Sequence, residues 1–186
     1  MEIWMQLFFT TSCCNGDEKV TSTIRAIKLS DAERIAEIYN QGIEERSSTF
    51  ETEPRTAEDR AEWIRTHQSF PAVVAIINGI VVGFAYAGEY RPRQCYRGIG
   101  EFSVYLDRDF RGQGIGKLLL NALIDEARRL GYWKLVSRIF DFNMASRQLC
   151  QSCGFREVGI YAKHGKLEER WIDCVIVERI ISENLD

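Results

Sequence analysis

From Ile24 onward, apolar positions switch repeatedly between a period of two and a helical period, and each switch marks an element. Residues 24–29 read as a short strand. Ser30-Asp31-Ala32-Glu33 then reads as a capping box opening a helix to about Glu45. Thr56-Ala57-Glu58-Asp59 repeats that kind of signal ahead of a second helix over 60–68. Asn78-Gly79 stands between two β-branched runs, the sequence of a tight hairpin. Residues 100–107 alternate as a strand, with Phe102, Val104 and Leu106 on one face and Glu101, Ser103 and Tyr105 on the other. An amphipathic helix over 115–131 carries Arg128 and Arg129 in its last turn and stops at Gly131. A strand (134–140), a helix (143–154) and two closing strands (155–162 and 171–180) complete the chain, with Lys163–Lys166 reading as a solvated turn between the last two. The predicted order is β-α-α-β-β-β-α-β-α-β-β, one mixed α/β domain without repeats or long linkers.

Residues 1–23 break this pattern. An apolar patch from Ile3 to Phe9 precedes a polar, turn-rich stretch, and Glu2 stands where a secretory signal carries basic residues. They read as a flexible extension or an upstream start, outside a domain spanning 24–182. The 186 residues suffice for one domain with a sizeable core. A formal net charge of −3 offers no general attraction to nucleic acid or to an anionic membrane, so any basic site must be local. No apolar run approaches the ~18 residues of a membrane span.

Six cysteines (Cys13, Cys14, Cys95, Cys150, Cys153 and Cys174) lack the paired spacing of a zinc site, so no metal is expected. Cys150-x-x-Cys153 admits a redox reading, but reduced, mostly buried thiols in a cytosolic protein are the simpler one.

The stretch "DRDFRGQGIGK", residues 107–117, carries the chemistry. It links a strand to a helix, whose N-terminus presents unpaired N–H groups and a partial positive charge suited to phosphate. Two phosphate-loop patterns fail on named residues. A dinucleotide fingerprint would need glycine at Lys117, and a triphosphate loop would need glycine at Arg111 and a hydroxyl at Leu118. What remains is R-x-x-G-x-G, from Arg111 through Gly114 to Gly116, or a tight strand-to-helix turn without a ligand.

Strand, R-x-x-G-x-G loop, helix, strand and "NMASRQLCQSCGF" together resemble the GNAT acetyltransferases over roughly Ile24 to Ile181. The stretches "IYNQGIEERSSTFETEPRT", "AYAGEYRPRQCY", "EFSVYLDRDFRGQGIG" and "KHGKLEERWIDCVIVER" resemble the phosphinothricin N-acetyltransferase family. The last of these, together with "GFREVGIY" and "GYWKLVSRIF", is similar to its arsinothricin-acetylating branch.

The resemblance implies an α/β fold with a central, mostly antiparallel mixed sheet flanked by helices. It implies a cytoplasmic homodimer that acetylates the α-amino group of a small anionic amino-acid analogue from acetyl-CoA and so confers resistance. Other small amines, such as methionine sulfoximine, protein N-termini and a non-catalytic acyl-CoA sensor are the alternatives.

By that resemblance Arg111, Gly112, Gln113, Gly114, Ile115, Gly116 and Lys117 hold the pyrophosphate, Val104 and Leu106 pair with the pantetheine arm through their backbone, and Asn143 bonds a pantetheine amide. Glu101 matches the general base that deprotonates the amine, the alternative being a plain exposed strand carboxylate. Cys150 stands where the family has a tyrosine or histidine as general acid; it is a proton donor to the leaving thiolate or a small packing residue. Arg91 and Arg93 match the cations that receive the anionic head, with Phe50, Tyr96 and Ser103 beside them and His164 near the mouth of the site.

Overall fold

The alternating runs pair into one eight-stranded sheet, described here from a computed structural model covering residues 7–9 and 22–185. In chain order the strands are β1 (Leu7–Phe9), β2 (Ser22–Ala26), β3 (Ala72–Ile77), β4 (Ile80–Glu89), β5 (Ile99–Leu106), β6 (Lys134–Phe140), β7 (Arg156–Leu167) and β8 (Arg170–Ile180). The helices are α1 (Ala32–Glu44), α2 (Ala57–Thr66), α3 (Ile115–Arg129) and α4 (Met144–Ser152). From β2 onward this is the order the periodicity predicts. Across the sheet the strands run β1-β2-β3-β4-β5-β6-β8-β7. Leu7–Phe9 pairs with β2, Leu7 opposite Ile24. The rest of the first 21 residues, including Cys13 and Cys14, lies outside the described residues.

Local chemistry sets the boundaries. Asn78 and Gly79 both take positive φ (50° and 82°), the geometry a two-residue hairpin turn requires between β3 and β4. Thr56 caps α2 as a reciprocal box: its hydroxyl accepts from Asp59 N–H at 3.1 Å, and the Asp59 carboxylate accepts from Thr56 N–H at 2.8 Å. The expected box at Ser30 does not form. Residues 29–31 make a single 3-10 turn in which the Asp31 carboxylate accepts from Lys28 N–H at 2.8 Å. Asp31 is also held by the Arg25 guanidinium through two 2.7 Å bonds, so its carboxylate is spent before α1 begins.

Two cores cover the two faces of the sheet. On one face α3 buries Leu119, Leu120 and Leu123 completely, against Phe102, Leu135 and Val175. On the other, α1 and α2 pack Ile35, Ile38 and Ile64 against Val74, Phe84 and Tyr105. Each fully buried aliphatic side chain contributes about 1.5–3 kcal/mol. The alternation of β5 between Phe102 and Tyr105 thus feeds both cores.

All neighbouring strands are antiparallel except β5 and β6, which run parallel and pair only from Ile99↔Lys134 to Glu101↔Val136. Beyond Glu101 they diverge and leave a split in the middle of the sheet.

The last hairpin differs from the expectation. Lys163–Lys166 is not a turn but part of β7, and the reversal falls at Glu168 and Glu169. The alternation breaks because residues 162–164 bulge opposite Asp173, with Lys163 at φ 49° and its N–H donating to the Asp173 carboxylate at 2.7 Å. Such a bulge re-aims the next side chain, here His164.

Candidate active site

The split joins two cavities through a narrow neck. A groove of about 460 Å³ lies at the glycine-loop end, lined by Leu106, Gly112, Gly114, Gly116, Lys117 and Asn143. A cavity of about 890 Å³ opens on the α1–α2 face, where Phe50, Glu101, Ser103, Arg138 and His164 line it. The neck, about 60 Å³, runs between the diverging strands past Val104, Ile139 and Cys150.

The groove is made mainly of backbone. Gly112 and Gly114 have φ of 75° and 80°, which an L side chain rarely tolerates, and open space lies where a Cβ would stand. Gly116 is glycine for another reason: a Cβ there would press on Leu106 and Leu149 at 3.1 and 3.3 Å. None of the amides of residues 112–116 donates to a described protein group. They and the start of α3 form a cradle of free N–H groups.

On β5, Asp107 N–H bonds Val82 across to β4. The alternation of the ladder then leaves Val104 and Leu106 facing the split, where β6 no longer pairs. These features fit a ligand with a phosphate end and an amide-bearing arm.

Side chains brace this end. Arg111 is tied down, with NH1 on Glu45 at 2.9 Å and two bonds to the Leu106 carbonyl at 3.3 Å; Lys117 has no ion-pair partner among the described residues. Gln113 donates to the Asp109 carbonyl at 3.2 Å, and Ile115 is buried in the core, so each offers the groove only its amide. Asn143 caps α4 by accepting from Ser146 N–H at 3.1 Å and donates to the Ser47 carbonyl at 2.9 Å, linking α4 to the segment after α1.

Asp107 accepts from Asp109 N–H at 3.0 Å and pairs with Arg34. Burial alone would raise its carboxyl, but these bonds outweigh burial and hold it below the usual carboxylate range.

The acceptor cavity is made of side chains from many elements. Glu101 is the last β5 residue still paired with β6, and Arg138 lies two residues past its partner Val136 on the same face. The Arg138 guanidinium reaches back across the split: Nε donates to Glu101 Oε1 at 2.7 Å and NH2 also pairs with that carboxylate, while NH1 lies 3.4 Å from His164 Nε2. Phe50 stands edge-on to Phe140 at 4.7 Å and closely against Gly165, where a Cβ would meet its ring at 2.6 Å. Tyr39, Tyr86 and Tyr105 complete the wall; burial raises all three phenols, so they stay neutral.

Phe50, Glu101, Ser103 and His164 therefore come together as the sequence suggests. Arg91, Arg93 and Tyr96 do not line the cavity. They are on the β4–β5 loop, which turns outward after Glu89; Arg91 stacks on Tyr90 at 5.2 Å, and Tyr90 meets Tyr96 edge-on at 5.8 Å.

The guanidinium inside the cavity belongs to Arg138, which the sequence reading missed. Its one signal was an arginine in the interior of a strand that proves central in the sheet.

Cys150 lines the neck but belongs to the α3 core, 3% exposed. Burial, with smaller contributions from Cys153 and Glu157, pushes its thiol up to about 12. Handing a proton to an alkyl thiolate, whose thiol titrates near about 8.5, would then run uphill by roughly 5 kcal/mol. Of the two roles open to it, this environment favours packing.

Comparison with known proteins agrees with this geometry. The family profile described as Acetyltransferase (GNAT) domain matches residues 24–176. The chain is 34% identical to the L-amino acid N-acyltransferase MnaT of Escherichia coli (strain K12), over 88% of this chain and 96% of that protein. It is 35% identical to a phosphinothricin N-acetyltransferase of Alcaligenes faecalis, over 84% and 81%. Among solved structures, the putative acetyltransferase yncA of Salmonella typhimurium, determined with its cofactor acetyl-CoA, superposes with a TM-score of 0.84 at 32% identity, covering 89% and 96% of the two chains.

Proposed function

The chain belongs to the GNAT acetyltransferase family, and from that premise we propose that it acetylates the α-amino group of a small anionic amino acid, using acetyl-CoA. The observation that carries this reading is the split between β5 and β6. It connects a phosphate-type cradle to a charged acceptor cavity and sets Glu101 beside the join.

The free amides of residues 112–116 and the Lys117 ammonium would hold the pyrophosphate; Arg111, tied to Glu45, shapes the loop. The edge of β5 at Val104 and Leu106 would pair with the pantetheine arm as with an added strand. Asn143, with one amide hydrogen and one lone pair unspent, would bond an amide of that arm. When bound, acetyl-CoA supplies the reactive thioester.

Glu101 takes the proton from the incoming ammonium, directly or through one water, so that the neutral amine can attack. Phe50 and the three tyrosines wall the cavity, while Ser103 offers a hydroxyl to the acceptor. Cys150 fills space at the neck.

Phosphinothricin and arsinothricin are the acceptors that the sequence resemblance favours. Such an activity would protect a cell, in the cytosol, from these toxic analogues. A homodimer is supported by β7, an edge strand of 12 residues that exposes Ile160 (62%) and Tyr161 (51%), with Trp171 (59%) on its hairpin partner.

The test is release of CoA thiol from acetyl-CoA against phosphinothricin, arsinothricin, methionine sulfoximine and a short peptide with a free N-terminus. Turnover of at least one amino acid above the peptide is the expected result. Turnover of the peptide alone overturns the reading, as does binding of acetyl-CoA with no turnover of any amine.

A further inference from the structure

Among the described residues, Arg138 is the one cation whose guanidinium lies within the acceptor cavity and touches Glu101, and neither the mechanism nor the family resemblance uses it. We infer that Arg138 selects acceptors carrying a carboxylate on the same carbon as the reacting amine. This rests on the reading above that the acceptor is a free amino acid, and it names the residue that enforces that class.

The argument begins with the donors of the guanidinium. Arginine has five N–H groups arranged as two forks. The fork formed by Nε and NH2 is occupied by Glu101. The fork formed by NH1 and NH2 remains, with His164 Nε2 at 3.4 Å from NH1, longer than a strong bond. That second fork matches the two oxygens of a carboxylate.

The ammonium and carboxylate of an α-amino acid share one carbon, so their polar atoms lie roughly 3 Å apart. Arg138 NH2 belongs to both forks: one of its hydrogens meets Glu101, and the other points into the free fork. An α-amino acid can therefore set its carboxylate on the free fork while its ammonium turns toward the adjacent Glu101 carboxylate. Four alternating charges then close a ring.

Charge balance points the same way. An ammonium entering without its carboxylate would bring a second cation onto Glu101 beside Arg138, in a cavity walled by Phe50, Phe140 and neutral tyrosines. A peptide N-terminus has an amide in place of that carboxylate and would leave the repulsion uncompensated. A decarboxylated amine fails for the same reason. The pair thus acts as a filter for the zwitterion rather than for amines at large.

The filter is tested with methionine sulfoximine, its α-carboxamide and the corresponding decarboxylated amine. Each is assayed for thiol release by the full-length wild type, Arg138→Gln and Arg138→Lys, with acetyl-CoA titrated calorimetrically in parallel. The wild type should prefer the acid over both analogues by about 100-fold or more in kcat/KM. Arg138→Gln should raise KM for the acid about 30- to 100-fold, change the two analogues less than about threefold, and leave acetyl-CoA affinity as it was.

Arg138→Lys, which keeps the charge and loses the fork, should fall between. Its melting temperature, unchanged from that of the wild type, guards against a folding artefact at this half-exposed site. Equal losses for acid and carboxamide in Arg138→Gln overturn the proposal, because the residue then only positions Glu101. An unmoved KM for the acid, or a loss that follows the distal oxyanion of phosphinothricin instead of its α-carboxylate, overturns it too. A wild type that acetylates none of the amino acids sinks the functional reading itself and the filter with it; a wild type active on them with an unaltered variant sinks the filter alone.

Discussion

At the glycine-loop end of the split the ligand surface is backbone: five free amides, two glycines at positive φ and the unpaired edge of β5. At the acceptor end it is side chains, delivered from α1 through β8 and held by one another, as Glu101 is by Arg138 and Phe50 by Gly165. A backbone cradle can recognise only a shape common to many ligands, a phosphate or an amide. A side-chain cage can be recut for each acceptor without disturbing the loop. The two ends should therefore fail separately, one in affinity for the donor and the other in turnover or acceptor choice.

The largest effect expected is at the acceptor end. Glu101→Gln should lower kcat by about 10²- to 10⁴-fold. Acetyl-CoA affinity by calorimetry should stay within about twofold, because Glu101 does not line the glycine-loop groove. The defect should shrink at high pH, where more of the amine arrives neutral. A loss of equal size at every pH would assign the residue to positioning.

Gly114→Val tests the other end. A β-branched residue at φ 80° forces the loop out of its conformation at about 1–3 kcal/mol, which moves the amides from their ligand. Acetyl-CoA affinity should fall roughly 10- to 100-fold. The acceptor KM, measured at saturating acetyl-CoA, should be unchanged. A matching rise in acceptor KM would show that the two ends are coupled and break the comparison.

The difference in building material also decides what could be read from the sequence. Gly112, Gly114 and Gly116 sit together in the chain because one turn needs all three, and the positive φ of the first two and the close approach at the third leave the same residue-type signature. The elements were legible for a similar reason, since period and hairpin chemistry act over a few residues. The acceptor cage draws on positions from Tyr39 to Cys174, brought together only by strand order. Arg138 has no neighbour in the chain that announces it. Arg91 and Arg93 matched a motif, but the loop carries them outward. Ser30 looked like a cap, but it lies inside the 3-10 turn over 29–31, where the Asp31 carboxylate accepts from Lys28 N–H one turn earlier than expected. His164 read as part of a turn because three bulged residues interrupt the alternation of β7.

A smaller effect should separate the ends by pH. Asp107 anchors the glycine loop, and its folded carboxyl titrates below the unfolded value of about 3.9. Its contribution to stability is therefore complete above about pH 4 and lost as pH falls through the folded value. Asp107→Asn should flatten this acid limb of the melting temperature. Circular dichroism melts between about pH 2.5 and 6 would show it; an acid limb of unchanged slope would mean that other carboxylates carry the transition.

The smallest effect expected lies at the neck, where the two ends meet. Cys150 has the position of an acid but the surroundings of a core residue, in contact with the cluster that includes Leu119 and Phe155. With its thiol pushed up to about 12, it stays neutral around neutral pH, and proton release to a thiolate is uphill. Cys150→Ala removes one buried sulfur and leaves a small void, so the melting temperature should drop by a few degrees, in line with a loss of about 1 kcal/mol. kcat should remain within about threefold of the wild type, and its pH profile should keep the same shape, because the leaving thiolate can take a proton from water. A fall in kcat of about 100-fold with the alkaline limb displaced would restore Cys150 as the acid. It would also place one catalytic group on each side of the split.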